Sequence, residues 1–526
     1  MGRLELLFLT GALLSALSCG AEGAPDSGGG DQTVDMTVED RAGFGVKGMV
    51  LAEGKPLAGV VVSDGINVTQ TDFDGKYWLR STADEATVWV SVPSGYEVPV
   101  EGDWSPRFWY PLDKGKTAAG EVQRFDFALR AVPQEKFFLC VFADTHIRGR
   151  NSLGSVSCEM DSVQFRKYFV PKVQGWHEEN AGVPHYGIVL GDMIQDYATG
   201  QYKTGLPEYK KCLRDLRFPI FHIPGNHDYR HEDLTGRAWE DEEARGAKQY
   251  YIDHLGPTYY SFNIGKVHFV MLDGTRIHGT AGSSATENRV TSAQLSWLRK
   301  DLTHVSKEMH LVICCHQPLY TYSSTDNVAA GCIENRDEVI SLCDGFRWIS
   351  ILSGHIHYGD IANLEHAGVR IDQYTHPAVC GPFWLAHVNY DGSPNGFTSY
   401  VFSGTEFTRR QCSLDDAYDY RAILYTDYED AQGNRKLVIN VPAFEKGWTL
   451  TVLEDGKEVA QPVRTRMKDP GYEAMYVSRN FPSNTYTRTN SHTWLYTPVR
   501  PAALFKMIVT TSGGESFSLE GRMDQK

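Results

Sequence analysis

Phe137-Phe138-Leu139-Cys140-Val141-Phe142 is an unbroken apolar run, and after Ala143 it delivers the polar cluster Asp144-Thr145-His146. The pattern recurs through the middle of the chain. Gly187-Ile188-Val189-Leu190 leads into Gly191-Asp192, Leu311-Val312-Ile313-Cys314-Cys315 into His316, and Trp348-Ile349-Ser350-Ile351-Leu352 towards Gly354-His355-Ile356-His357. A further cluster, Gly225-Asn226-His227-Asp228, falls between Asp192 and His316. Short runs of β-type apolar residues read as buried strands, and open sheets place their chemistry where strands end. The clusters are therefore the candidate site.

Between these runs the spacing turns helical, from about residue 161 to 177 and again after Thr291-Ser292-Ala293-Gln294, a Thr-x-x-Gln capping box. Strands alternating with helices predict an α/β domain over residues 136–378. Upstream, 46–50, 59–63, 68–71 and 76–79 are short strand-like stretches, and Asp74-Gly75 signals a tight turn. These predict a β-sandwich over 41–131, joined to the α/β domain by the linker 131–136. After residue 378 the helical spacing ceases. Strand-like stretches at 437–441, 449–453 and 505–509, with a turn at Glu454-Asp455-Gly456-Lys457, predict a second β-sandwich over 379–526.

At 526 residues the chain exceeds one hydrophobic core, so two to four domains are expected. A net charge of −15 argues against a nucleic-acid-binding surface, which needs cationic groups to displace counterions. Near the start, Arg3 precedes the apolar run 6–14, too short to span a bilayer, and then Ala16-Leu17-Ser18-Cys19. This resembles a bacterial lipoprotein signal at 1–19 with Cys19 as the lipid-modified residue. It implies anchoring to a membrane of the cell envelope, with plain secretion as the alternative. Residues 20–40 are rich in Gly, Asp and Ser and read as a flexible tether. The cysteines after Cys19 contain no Cys-x-x-Cys pair, which argues against a zinc ribbon, although an oxidising compartment permits one or two disulfides.

The motifs Asp-x-His, Gly-Asp, Gly-Asn-His-Asp, strand-terminal His and Gly-His-x-His resemble, in that order, those of the calcineurin-like metallophosphoesterase family. The stretches 54–60 and 71–77 resemble a carboxypeptidase-regulatory-like or transthyretin-like β-domain. The resemblance implies an α/β fold class: a central metallophosphoesterase β-sandwich flanked by helices, with all-β domains on both sides. It also implies two divalent or trivalent metal ions. Asp144, His146 and His357 would hold one, Asn226, His316 and His355 the other, and Asp192 would bridge them. Nitrogen and oxygen donors without thiolate suit Mn, Fe, Zn or Ni.

Two cations about 3.5–4 Å apart share a hydroxide and clamp the phosphoryl oxygens of a phosphoester, monoester or diester, for in-line attack. The resemblance makes His227 the proton donor to the leaving group, with Asp228 holding its ring by a hydrogen bond. Gln195 stands where the family often has Asp and purple acid phosphatases have Tyr, so a tyrosinate-iron site is not expected. Asp196 and Tyr197 follow too late to replace it. Arg148 is a candidate phosphate contact, and Phe383 and Trp384 are candidates for an apolar wall beside the leaving group, with loop or inter-domain packing as the alternative. The competing readings of the whole chain are a cell-envelope binding lipoprotein whose metal centre is structural, and a module of a larger envelope assembly.

Overall fold

The computed structural model describes residues 34–82, 86–149, 151–195, 205–229, 241–277, 286–322, 331–418, 420–459 and 461–523. Cys19, most of the expected tether, Asp196 and Tyr197 lie outside the described residues.

Two sheets stack at the centre. The first runs in spatial order Ile220–Ile223, His185–Leu190, Lys136–Phe142, Gly396–Ser403, Glu406–Ser413. Its first three strands are parallel and the last two turn antiparallel. The second runs Tyr260–Ile264, Val267–Leu272, His310–Cys315, Trp348–Ser353, Val369–Thr375, Asp360–His366, with its four inner strands parallel. Side chains alternate along Lys136–Phe142, so Phe137, Leu139 and Val141 enter the inter-sheet core while Phe138, Cys140 and Phe142 pack under the helices. Both faces are covered, and so the run is apolar throughout.

The helical spacing of 161–177 is realised as Asp161–Gln164, a π-turn at Phe165–Phe169 and Val170–Glu179. Pro171 has no N–H to donate and its ring crowds the preceding turn, which accounts for the widening there. Thr291 caps Ser292–Asp301 by accepting from the Gln294 N–H. The Gln294 amide also exchanges two hydrogen bonds with the Asp273 backbone, so it joins the helix to the end of Val267–Leu272.

Before the central sheets, Val46–Ala52 is the hub of a sheet that it forms with Lys55–Pro56, Lys76–Leu79, Gln123–Arg124 and Phe127–Ala131. A second small sheet holds Val68–Gln70, Val61–Ser63, Thr87–Val90 and Trp109–Pro111. At the Asp74-Gly75 turn, the Asp72 carboxylate accepts from the Asp74 and Lys76 N–H groups and Gly75 takes φ +71°. In the C-terminal part, two four-stranded sheets enclose a core that includes Leu437, Ile439, Trp494, Phe505 and Met507.

Two expectations for this part of the chain are corrected. The helical content does not cease at 378, because Pro470–Ser478 is a helix capped by Asp469. Nor does the central sheet close there: Gly396–Ser403 pairs with Lys136–Phe142 along its length, and Glu406–Ser413 extends the sheet. The sheet's continuation escaped the sequence pattern because antiparallel return strands carry no helix and resemble the all-β segment that follows. The nine described cysteines are free thiols.

Candidate metal centre

Five strands, ending at Phe142, Leu190, Ile223, Cys315 and Ser353, deliver the polar clusters to one edge of the two stacked sheets. Strand-like bonding continues past the ends. Asp144 N–H donates to the Gly191 carbonyl at 3.0 Å, His146 N–H to Asp192 at 3.0 Å and Ile147 N–H to Met193 at 2.9 Å. Within this frame Asp144, His146, Asp192, His355 and His357 all take left-handed backbone angles, with φ of 55°, 41°, 51°, 74° and 56°. Such angles cost an L-residue roughly 1–2 kcal/mol each and persist where surrounding structure over-determines them.

Two glycines allow the loops to approach. A Cβ on Gly225 would stand 2.1 Å from Asp192 Oδ1, and one on Gly354 would stand 2.7 Å from Asp144 Oδ2. Neither position accepts a side chain without moving a carboxylate.

The Asn226 Oδ1 atom is buried, and the six other predicted ligands, Asp144, His146, Asp192, His316, His355 and His357, converge, with Asp192 common to two clusters of donors. Asp144, His146 and Asp192 form one, and Asp192, His316 and His355 form the other. Asp192 Oδ2 lies 3.0 Å from His316 Nε2 and 3.7 Å from His146 Nε2. His146 Nε2 and His357 Nε2 face each other at 2.9 Å, and Asp144 Oδ1 is 3.4 Å from His357 Nε2. His316 Nδ1 contacts the Leu190 carbonyl at 2.6 Å, which assigns the proton to that nitrogen and turns Nε2 towards the cluster. His355 Nδ1 sits 3.3 Å from His316 Nε2.

Asp144, His146, Asp192 and His316 are almost completely buried, whereas Asn226, His227 and His355 are half-buried and open towards solvent. His146 Nδ1 is buried with no hydrogen-bond partner. Ring nitrogens facing each other and facing carboxylates at these distances need a proton or a cation between them, and the residues fit bound metal.

The electrostatics say the same. Burial opposes protonation of His316, but Asp192 overrides it and pushes the ring up to about 9. Burial also opposes ionisation of Asp192, yet His316 and His227 hold the carboxyl well below the usual range. Burial and the neighbouring His316 pull His355 down to about 3. Burial and His357 keep His146 neutral, while His357 is raised against its own burial by Asp144. Protons thus occupy positions where cations would sit.

His227 joins the cluster at its mouth. Its N–H donates to Asp192 Oδ1 at 2.9 Å and its ring lies 5.2 Å from that of His146. Asp228 does something other than expected: its carboxylate accepts from the backbone N–H groups of Gly225, Met193 and Ile194 at 2.8, 3.0 and 3.2 Å. Instead of orienting the His227 ring, it ties the Asp192 loop to the Asn226 loop. Burial, then Asp192, pushes Asp228 up to about 7.

Arg148 has a bracing role. It is buried, its Nε donates to Asp161 Oδ2 at 3.3 Å and its Nη2 to the Phe383 carbonyl at 3.0 Å, so it braces two loops, while its Nη1 has no hydrogen-bond partner. Phe383 and Trp384 part company. The Phe383 ring stands 5.0 Å from His146 and 5.2 Å from His357, a wall against the site. Trp384 points away and donates its Nε1–H to the Thr145 carbonyl at 2.9 Å, fixing the residue between two ligands.

Two further residues were not found by sequence reasoning. Cys380 is fully buried and forms a donor cluster with His146 and His357, so the neighbourhood is not free of sulfur. Tyr390 stacks on His357. Cys380 carried a signal: it follows the strand Val369–Thr375 as the other ligands follow theirs.

Profiles for three parts of one family match the chain in order. The N terminal of calcineurin-like phosphoesterase covers residues 45–132, calcineurin-like phosphoesterase itself 139–359, and the C terminal of calcineurin-like phosphoesterase 373–515. The chain belongs to the calcineurin-like phosphoesterase family. Purple acid phosphatases 23 and 15 of Arabidopsis thaliana are 29% and 27% identical to it, over 32% of this chain and 33% and 29% of theirs. The chain thus spans about a third of the length of these curated relatives. Among solved structures, phosphopantetheinyl hydrolase from Mycobacterium tuberculosis aligns over 47% of this chain and 91% of its own, at 13% identity and a TM-score of 0.26. The 5'-nucleotidase from Candida albicans aligns over 54% and 52%, at 13% identity and a TM-score of 0.33.

Proposed function

We propose that the centre holds two metal ions and hydrolyses phosphoesters. One observation carries this reading: a single buried carboxylate, Asp192, belongs to two donor clusters at once, as a bridging ligand does. Asp144, His146 and His357 would hold one ion, Asn226, His316 and His355 the other. When bound, the ions supply Lewis acidity, acidifying water and offsetting charge on the phosphoryl oxygens.

The chain supplies the rest. His227, held at the mouth through its N–H to Asp192, is placed to give a proton to the leaving oxygen. Phe383 shuts water out from the His146 and His357 side. A purely structural centre would be closed all round, whereas His227 and His355 are each partly exposed. This favours an enzyme over a structural metal lipoprotein.

The test is to strip metal with a chelator, reload Mn, Fe, Zn or Ni singly and in pairs, and assay mono- and diesters. Turnover that returns only with metal, at two ions per chain, supports the reading. Activity indifferent to metal removal would refute it. Attachment to the cell envelope through a lipid on Cys19 remains part of the proposal and is tested separately below.

A further inference from the structure

We propose that Cys380 is a thiolate ligand of the ion held by Asp144, His146 and His357. The assignment rests on the metal-centre reading above and adds to it a donor of a different chemical kind.

Cys380 reaches the site through the backbone. The Val379 N–H donates to the Ala143 carbonyl at 3.0 Å and the Cys380 N–H to the Asp144 carbonyl at 3.2 Å, which fixes Cys380 alongside the first ligand. Its sulfur and one ring nitrogen from each of His146 and His357 all lie within 4.8 Å of one another. A cation bonded at ~2.0–2.1 Å to imidazole and ~2.3 Å to thiolate brings its ligands to separations of this order.

The Cys380 sulfur is within hydrogen-bonding reach of the His357 ring, and its S–H also reaches the Gly381 carbonyl at 3.4 Å, an oxygen that faces His357 Nδ1 at 3.3 Å. Cys140, Cys314 and Cys315 pack within the sheet cores away from the donor clusters, whereas Cys380, also packed against apolar neighbours, is the described cysteine that joins one. Cys380 is fully buried, and His146, a member of the same donor cluster, also has a buried ring nitrogen, Nδ1, with no hydrogen-bond partner.

Coordination exchanges the S–H bond for a sulfur–metal bond and releases one proton to solvent. A thiolate shifts this position towards zinc, iron or cobalt and away from magnesium, calcium or manganese, while the position held by Asn226, His316 and His355 keeps nitrogen and oxygen alone. The two positions then differ in metal preference.

The test uses the full chain loaded with cobalt(II). Wild type should show an intense near-ultraviolet sulfur-to-cobalt charge-transfer band, lost in Cys380→Ser and in Cys380→Ala. Zinc-edge X-ray absorption of the unmodified zinc-loaded protein gives an independent reading, with sulfur expected at ~2.3 Å. Cobalt bound without the band, a band that survives both substitutions, or a zinc shell of nitrogen and oxygen only would overturn the assignment and leave the two-ion reading standing. Failure to bind either metal would overturn both.

Discussion

Tyr390 lies flat against His357, with ring centroids 5.6 Å apart and planes 5° from parallel. Tyr390 also meets Tyr472, on the helix Pro470–Ser478, edge to face. Next to it, the Asp391 carboxylate accepts from the Gly359 N–H at 2.8 Å and pairs with His492 Nε2 at 3.0 Å. The C-terminal part therefore backs the loop that carries the last two histidine ligands.

Replacing Tyr390 with Ala should remove this backing without touching a ligand. Loss of a buried aromatic side chain costs about 3–5 kcal/mol. Metal affinity should fall on the order of 10–100-fold, as when a group orienting a ligand is lost. Thermal unfolding and metal titration read the two effects. A variant as stable and as tight as wild type would mean that the stacking is incidental.

Asp192→Asn keeps the shape of the side chain and removes the shared charge. Bound metal should drop and turnover should vanish, because both clusters lose their common anionic donor. Elemental analysis decides the point, since full metal content would place the bridge elsewhere.

His227→Ala removes a half-buried group at the mouth and no metal-facing donor. Metal content should persist while kcat falls on the order of 10²–10⁴ for esters with poor leaving groups. An activated aryl ester, which needs little help from an acid, should lose much less. Equal losses on the two substrates would argue against proton donation by this ring.

Metal uptake should weaken in acid. His316 is raised to about 9 in the metal-free protein, so below that pH an incoming ion must displace its proton. Apparent affinity should then fall at least tenfold per pH unit below pH 9, and more steeply where the raised His357 must also give up its proton. Titrations at several pH values, in buffers of different ionisation enthalpy, would expose the released proton; a flat profile between pH 6 and 9 would count against the protonated His316.

Acylation at Cys19 should place the full-length protein in the membrane fraction, since each buried acyl methylene contributes about 0.8 kcal/mol and several chains anchor stably. Cys19→Ser should shift it to the soluble fraction with unchanged specific activity. If both proteins partition alike into the soluble fraction, secretion replaces anchoring.

The candidate ligands were legible in the sequence because coordination chemistry restricts residue type and strand ends restrict position. Asp144, His146, Asp192, His316, His355 and His357 satisfy both demands, and the structure brings them together. The roles of Asp228 and Arg148 were less legible, because a carboxylate or guanidinium pairs with whatever loop lies nearest in space. Asp228 meets backbone N–H groups about 35 residues upstream in the chain, and Arg148 meets Phe383, 235 residues away. Cys380 and Tyr390 were missed for a related reason. They lie beyond the point where helical spacing fades, in a stretch that local pattern assigns to the next domain.

The pairing of Lys136–Phe142 with Gly396–Ser403 determines where this chain can be cut. A fragment stopped at residue 378 would leave the strand leading to Asp144 as a bare, apolar edge, a template for aggregation. A fragment that keeps this five-stranded sheet whole has to run through Ser413. Within this architecture, the candidate metal centre depends on strands that follow its last histidine, His357, in the chain.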